Sequence, residues 1–174
     1  MIKKLIFLTA GLFFIFSCSS KKVAEPIKAA PTQEEIAAEE EFNRSTNGVK
    51  ITREEFNSDK NEILSIISEL KDVMAEHNFN AWLKYIDKES IEYYSNPKNL
   101  TSSSKRLPQK IKLSNLNDYF TYVFIPSRKG RSVEEIRYIS RDSVKAVQVR
   151  EDRDIVYYNF IRENGKWMVN LPEL

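Results

Sequence analysis

The chain has 174 residues, of which 41% are hydrophobic and 30% are charged. This length fits one folded domain with a short additional segment. The chain carries 27 basic and 25 acidic residues, and its formal net charge is +2 at pH 7. A nucleic-acid-binding domain needs clustered Lys and Arg on a strongly basic surface, so this balance of charge gives no support for a nucleic-acid partner.

The N-terminal residues have the pattern of a secretory leader. Two lysines precede an almost wholly apolar run over residues 5–16, which is followed by Ser17 and Cys18. A basic start before a short apolar run is typical of a cleavable signal peptide. The apolar run, about 12 residues long, is too short to cross a hydrocarbon core of about 30 Å as a helix. We therefore predict that residues 1–17 are a signal peptide.

Cys18 is the only cysteine of the chain. The sequence Ile15-Phe16-Ser17-Cys18 resembles a bacterial lipobox, in which a small residue precedes a cysteine that is linked to diacylglycerol, exposed by cleavage and then N-acylated. Ser17 fits that pattern, whereas position 16 usually holds a residue smaller than Phe. The alternative is an ordinary signal peptide that ends in an incidental cysteine. The resemblance implies a lipid anchor on Cys18, in the bacterial cell membrane or outer membrane, with the folded part outside the cytoplasm.

The segment after Cys18 is poor in large apolar side chains and contains two prolines, several alanines and a cluster of glutamates. Such a composition buries too little apolar surface to offset the entropy lost on ordering. We therefore predict that residues 18–50 comprise the lipidated cysteine and a flexible tether, and that the folded domain spans residues 51–174. A helix around residues 33–42 can form, but we expect it to have little to pack against.

The first helix of the predicted domain spans residues 53–76. Thr52 and Glu55 have the spacing of a capping box, and apolar residues recur beyond them at intervals of three, four and seven. Short helices are predicted to follow over residues 79–86 and 88–94. The apolar residues of the long helix are Phe56, Ile63, Ile66, Ile67, Leu70, Val73 and Met74.

The next part of the chain is more polar. Residues 97–113 are predicted to form a loop. Ser114 can cap a further helix that ends at Pro126. The charged residues within 128–131 are then expected to form a turn whose side chains face solvent.

Four apolar runs with an alternating pattern end the chain. Alternation places one side of each strand in a core and the other side in water. The dipeptide Asn164-Gly165 between the last two runs is typical of a tight hairpin. We predict an antiparallel meander of about four strands and, with the preceding helices, an α+β fold. The runs span residues 133–140, 144–150, 155–163 and 166–171.

This order of helices and strands resembles the nuclear transport factor 2-like superfamily, a cone-shaped α+β fold. The resemblance rests on residues 69–87, where a long helix is followed by a short one that ends in the sequence WLKYID, and on the final hairpin. In that hairpin a turn is followed by Gly165, Lys166 and Trp167. The superfamily includes isomerases, dehydratases, transport factors and assembly domains, so the resemblance implies a fold without fixing an activity.

Six side chains are candidates to line a pocket at the open end of such a cone. Small-molecule sites place a few polar groups in an otherwise apolar cavity. The alternative for the aromatic residues is ordinary packing in the core and sheet, and the alternative for the aspartate is to cap the helix that follows it. No catalytic residue is assigned. The candidates are Tyr85, Asp87, Tyr94, Phe120, Tyr138 and Tyr158.

His77 is the only histidine, and the only cysteine, Cys18, is predicted to carry the lipid. The sequence therefore predicts no metal site and no other cofactor. It favours a non-catalytic, lipid-anchored envelope protein that binds a protein partner or a small apolar ligand near the membrane. Two alternatives stay open: a small metal-free isomerase or dehydratase that works in the cone, and a purely structural envelope lipoprotein.

Overall fold

The computed structural model describes residues 30–108, 111–151 and 153–172, and in these residues the helices come first and the strands last. Cys18 and the predicted signal peptide lie outside the described residues. The predicted α+β class is confirmed. The helices are α1 (Gln33–Thr46), α2 (Arg53–Ala75), α3 (Phe79–Trp82), α4 (Lys88–Ser95), α5 (Pro97–Arg106), α6 (Leu116–Tyr119) and α7 (Ile125–Arg128). The strands are β1 (Glu135–Ser140), β2 (Ser143–Val149), β3 (Asp154–Glu163) and β4 (Lys166–Asn170).

The four strands form one antiparallel sheet in the order β1-β2-β3-β4. Asn164 and Gly165 both have positive φ angles, of 50° and 80°, which is the geometry that a two-residue hairpin turn requires. One face of the sheet is buried, as the alternating pattern predicted. Its buried residues are Ile136, Tyr138, Val144, Ala146, Tyr158, Phe160, Trp167 and Val169.

Helix α2 contributes buried apolar side chains to the core that this face of the sheet lines. Its N-terminus has the predicted capping box, because the Thr52 side chain accepts a hydrogen bond from the Glu55 amide and the Glu55 carboxylate accepts one from the Thr52 amide. The buried apolar residues of α2 belong to the same core cluster as the sheet. They are Phe56, Ile63, Ile67, Leu70 and Met74.

The folded unit begins earlier than the sequence predicted. Thr32 and Glu35 form a second capping box, which starts α1. The Phe42 ring of this helix meets the Phe56 ring edge-on, with 5.4 Å between the ring centroids. Thr32 is also the first residue of the compact unit. The boundary predicted at residue 51 is therefore corrected to Thr32.

Ion pairs supply the contacts that the sparse apolar content of α1 lacks. The Arg44 guanidinium contacts the Glu135 carboxylate of β1 at 2.6 Å. On the side of α2, the Lys60 ammonium contacts the Glu41 carboxylate at 2.5 Å. These partners are distant in sequence, so the composition of the segment alone did not indicate them.

The loop predicted over residues 97–113 is also corrected, because its first part is helix α5. The Asn96 side chain accepts a hydrogen bond from the Lys98 amide at 2.9 Å, and Pro97 occupies the first turn, where its missing N–H costs nothing. Leu100 anchors this helix in the core with 1% of its surface exposed.

The helix predicted to end at Pro126 continues to Arg128. A π-helical turn, Phe120–Phe124, joins α6 to α7, and Pro126 lies in the first turn of α7, where proline is tolerated. Asn115, and not Ser114, provides the N-terminal cap, since its side chain accepts a hydrogen bond from the Asp118 amide at 2.9 Å.

Candidate functional site

The structure separates the six predicted pocket residues. Tyr94, Phe120 and Tyr158 lie in or beside one aromatic cluster around Phe124, the residue that precedes α7, whereas the other three lie apart from it. Phe120 and Tyr158 both pack against Phe124, at centroid distances of 6.2 and 6.3 Å. The Tyr94 ring packs against the Tyr119 ring in a tilted arrangement, with 4.1 Å between the ring centroids.

Asp87 caps α4, and the capping role considered from the sequence is confirmed. Its carboxylate accepts hydrogen bonds from the Ser90 amide at 2.9 Å, from the Ser90 hydroxyl, and from the Asn170 side chain at 3.4 Å. The residue is fully buried. Its oxygens are thus occupied by internal donors, and it does not line the cluster around α7.

Tyr85 lies on the surface of the long helix. Its hydroxyl donates a hydrogen bond to the Glu69 carboxylate at 2.6 Å. This hydrogen bond, with burial, raises the pKa of Tyr85. The side chain therefore braces the segment after α3 against α2 rather than pointing into a cavity with the other tyrosines.

Tyr138 belongs to a polar network centred on Asp59. Its hydroxyl donates to the Asp59 carboxylate at 2.7 Å, and the same carboxylate accepts from Arg162 Nη2 at 2.7 Å and from Trp167 Nε1 at 3.1 Å. Burial, and then the hydrogen bond to this carboxylate, raises the pKa of Tyr138. Asp59 thereby connects α2 with β1, β3 and β4.

A cleft of about 530 Å³ opens above Asp59. Its two cations are already paired: Arg141 with Glu55, and Arg162 with Asp59. The cleft is therefore lined by charges that stabilise one another, and we assign it a structural role.

A second cavity, of about 250 Å³, lies between α7 and β3 and is called here the Arg128 pocket. It holds one cation, two tyrosines and apolar walls. Tyr158, one of the predicted residues, lies against Arg128, whose guanidinium carbon is 5.0 Å from the Tyr158 ring centroid and 3.8 Å from that of Phe124. The pocket is lined by Tyr119, Val123, Ser127, Arg128, Val156, Tyr157, Asn159 and Pro172.

Arg128 is partly buried, which corrects the expectation of a solvent-facing turn at residues 128–131. Its Nη1 donates to the Ser127 hydroxyl at 2.8 Å and to the Phe124 carbonyl at 3.4 Å. Its Nε is enclosed and has no acceptor among the described residues. Within the same part of the chain, no Asp or Glu forms an ion pair with it.

The electrostatics of the pocket follow from this burial. Burial lowers the pKa of the Arg128 guanidinium, and the neighbouring Tyr158 and Tyr119 oppose that change. Burial raises the pKa of both phenols. Because arginine starts from a pKa above 12 and tyrosine from about 10, the pocket carries one positive charge beside neutral phenols at pH 7.

Sequence reasoning named neither Asp59 nor Arg128 as a site residue. Asp59 had a signal, since it stands three residues after Phe56 and four before Ile63, on the apolar face of α2. A polar residue at such a position indicates a buried hydrogen-bonding group. Arg128 had no such signal in the sequence, because it lies two residues after Pro126 in a charged stretch without apolar periodicity.

Two further findings concern the described residues as a set. None of their helices combines the length and the apolar character needed to cross a membrane. They also contain no group of three or more His, Cys, Asp or Glu side chains placed to hold a metal ion.

The fold and pocket define a small α+β protein with a cationic, aromatic cavity. Among known proteins, the chain is similar to one from Treponema pallidum (strain Nichols) that is described as an uncharacterized lipoprotein, with 31% identity over 120 residues. The match covers 68% of this chain and 64% of the relative, so the chain spans slightly less than two thirds of that protein. No family model and no solved structure matches. The similarity supports a bacterial lipoprotein.

Proposed function

We propose that this protein is a lipoprotein of the bacterial envelope, anchored by a lipid on Cys18, and that its folded unit lies outside the cytoplasm and binds a small ligand through the Arg128 pocket. The leader pattern and the similarity to a treponemal lipoprotein support the anchor. A diacylglycerol with an additional acyl chain supplies the several hydrophobic chains that stable membrane attachment needs.

The observation that carries the binding role is the guanidinium of Arg128, which has no carboxylate partner among the residues that the structure describes. Burying a charge without an opposite charge costs free energy, so buried charges are normally paired. Here the cation faces a cavity walled by valine and tyrosine side chains. An apolar cavity with a few polar groups is the usual form of a small-molecule site.

We favour binding over catalysis for this pocket. General acid–base chemistry is most often carried by His, Asp, Glu or Lys side chains, and none of these lines the pocket in the described part of the chain. Tyrosine can also act in this way, but burial raises the pKa of Tyr119, so this phenol stays protonated at pH 7 and is not a base. The alternatives are that the folded unit binds a protein partner or has a purely structural role. Detection of a bound small molecule in this pocket would argue against both.

The nuclear transport factor 2-like cone also belongs to this proposal. Two features support it beside the order of helices and strands. Ile86, after α3, pairs in parallel with Val169 of β4, and the Asp87 amide donates to the Val169 carbonyl at 3.1 Å. The Arg128 pocket lies between the helical segment and the sheet, where such a cone would open.

Cys18→Ala tests the anchor. Cells that express the wild-type chain and this variant are labelled with a radioactive fatty acid, and we expect label in the wild type alone. Label that persists in the variant would place the lipid elsewhere and contradict the lipobox interpretation.

A thermal-unfolding survey of the full chain, purified in an uncharged detergent, tests ligand binding. Small anionic, cationic and neutral molecules are compared, and we expect one class to raise the unfolding temperature. Asn159→Trp should fill the pocket and remove this effect, whereas Ile139→Trp, at an exposed position on β1, should keep it. A survey without any stabilising molecule, or an effect that survives Asn159→Trp, would contradict binding in this pocket.

A further inference from the structure

The Arg128 pocket also carries information about the chemistry of its ligand, and this inference rests on the proposed function. We propose that the pocket binds a small molecule with a single carboxylate, which pairs with Nη2 of Arg128, and with an aromatic or aliphatic body that packs against Val123, Val156 and Tyr157.

The first argument is which nitrogens of the guanidinium can still donate a hydrogen bond. Ser127 and the Phe124 carbonyl occupy Nη1. Nε is enclosed by the protein, so a ligand oxygen has no access to it. Nη2 makes no hydrogen bond to any described residue and is not enclosed. Nη2 is therefore the nitrogen that can donate a charge-assisted hydrogen bond to a ligand carboxylate.

The second argument is the charge of the pocket. Arg128 is the one Lys or Arg among the described lining residues, and the tyrosines beside it are neutral at pH 7. Arg131 lies outside the lining, with its guanidinium 5.7 Å from the Tyr157 ring centroid, and is exposed. A dianion would bring a second negative charge into a partly buried site without a partner, so a monoanion is favoured.

The third argument is size and the nature of the walls. Pockets for drug-sized molecules usually measure roughly 300–1,000 Å³, and this cavity measures about 250 Å³. It therefore suits a molecule of about one ring or a short aliphatic chain. Val123, Val156 and the ring of Tyr157 offer apolar surface to that body, and Asn159 adds one amide at the wall.

Benzoate is the probe, and benzamide is its uncharged analogue. The full lipidated chain is labelled with ¹⁵N and studied by NMR in micelles of an uncharged detergent. The readout is the Nε–H signal of Arg128, which is enclosed and should exchange slowly with water. Benzoate should shift this signal to saturation. Benzamide should bind more weakly by a factor of about 30 or more, because it leaves a buried charge unpaired.

Variants separate a ligand site from a structural cation. Arg128→Lys keeps the charge but loses the planar guanidinium that packs on Phe124 and Tyr158, and should weaken benzoate binding about tenfold. Arg131→Gln removes the neighbouring exposed cation and should leave binding unchanged. Arg128→Gln should abolish it. If Arg128→Gln does not fold, the titrations of the wild type and of Arg128→Lys still decide the question.

Other outcomes overturn the inference in distinguishable ways. If benzamide shifts the Arg128 signal as strongly as benzoate does, the pocket binds apolar molecules and the carboxylate is not recognised, while the proposed ligand-binding function stands. If inorganic phosphate at the same ionic strength shifts the signal more than benzoate, the single-charge argument is wrong. If none of the three probes shifts the signal of the folded chain, this ligand class is wrong, and the thermal survey then decides whether the pocket binds anything.

Discussion

At the scale of single residues, Asp59 and Arg128 show how burial decides the role of a charge. Asp59 is buried with Arg162, Tyr138 and Trp167 as donors, so its charge is used within the fold. Arg128 is partly buried without a carboxylate partner in the described residues, so its charge is available to a bound ligand. The first charge stabilises the domain, and the second is the basis of the proposed site.

Asp59→Asn should cost about 3 kcal/mol of unfolding free energy, because the variant leaves Arg162 without its buried partner. Asp142→Asn is the matched control, since Asp142 also pairs with Arg162, at 3.6 Å, but its side chain is 73% exposed. That change should cost less than about 0.5 kcal/mol. Urea unfolding of the full chains gives both values. Equal losses in the two variants would contradict a buried Asp59 network.

Trp167 is the second residue whose burial can be tested. It is 2% exposed, it donates to Asp59 through Nε1, and the Arg162 guanidinium lies 4.2 Å from its ring centroid. Trp167→Ala should therefore cost about 3–5 kcal/mol. Tyr122→Ala, at an aromatic side chain that is 45% exposed, should stay within about 0.5 kcal/mol of the wild type. The urea midpoints of the two full-length variants and the wild type give both losses of unfolding free energy. A loss below about 1 kcal/mol for Trp167→Ala would place its ring on the surface.

The burial of Trp167 follows from a local sequence pattern, whereas the burial of Arg128 does not, and the difference has a physical reason. Trp167 lies two residues after an Asn-Gly turn, which fixes the hairpin register and hence the face on which the ring lies. Arg128 depends on how α7 packs against β3, a contact between segments that are distant in the chain. No local pattern reports such a contact, so an ordinary surface charge was the natural expectation.

At the scale of elements, the sequence predicted helices and strands correctly where the local pattern was strong. The four strands begin and end within two residues of their predicted limits, because alternation and turns are local properties. Helices α1 and α5 were misjudged because they carry little apolar surface. Their starting signals were nevertheless present, since Thr32 and Glu35 repeat the spacing of the box that begins α2, and Asn96 precedes a proline at a first helical position.

Phe42→Ala tests whether α1 belongs to the folded unit. The Phe42 ring packs against Phe56, and the Arg53 guanidinium lies 4.4 Å from its centroid. Loss of this partly buried ring should cost about 1–2 kcal/mol. Ile36→Ala on the same helix, where the side chain is 38% exposed, should cost less than about 0.5 kcal/mol. If thermal and urea unfolding of the full chain do not respond to Phe42→Ala, the boundary at residue 51 would be restored.

At the scale of the whole molecule, the proposed lipid on Cys18 would attach the chain to a membrane. The proposed ligand-binding unit begins at Thr32. The leader and its cysteine could be interpreted from the sequence, because signal peptides are read by composition and spacing alone. The pocket could not be predicted from the sequence, because Tyr119, Arg128 and Tyr157 come together only when the helices pack against the sheet in the folded chain.

Native mass spectrometry of the chain purified from bacterial membranes tests the lipid anchor and the ligand pocket together, and is the most direct test of both. We expect a chain that begins at Cys18, carries a diacylglycerol and an acyl group, and retains a small bound acid that Arg128→Gln loses while Arg131→Gln keeps it. A chain that retains residues 1–17 with an unmodified Cys18 would contradict the anchor. A bound molecule that Arg128→Gln retains at the same occupancy would contradict the assigned pocket.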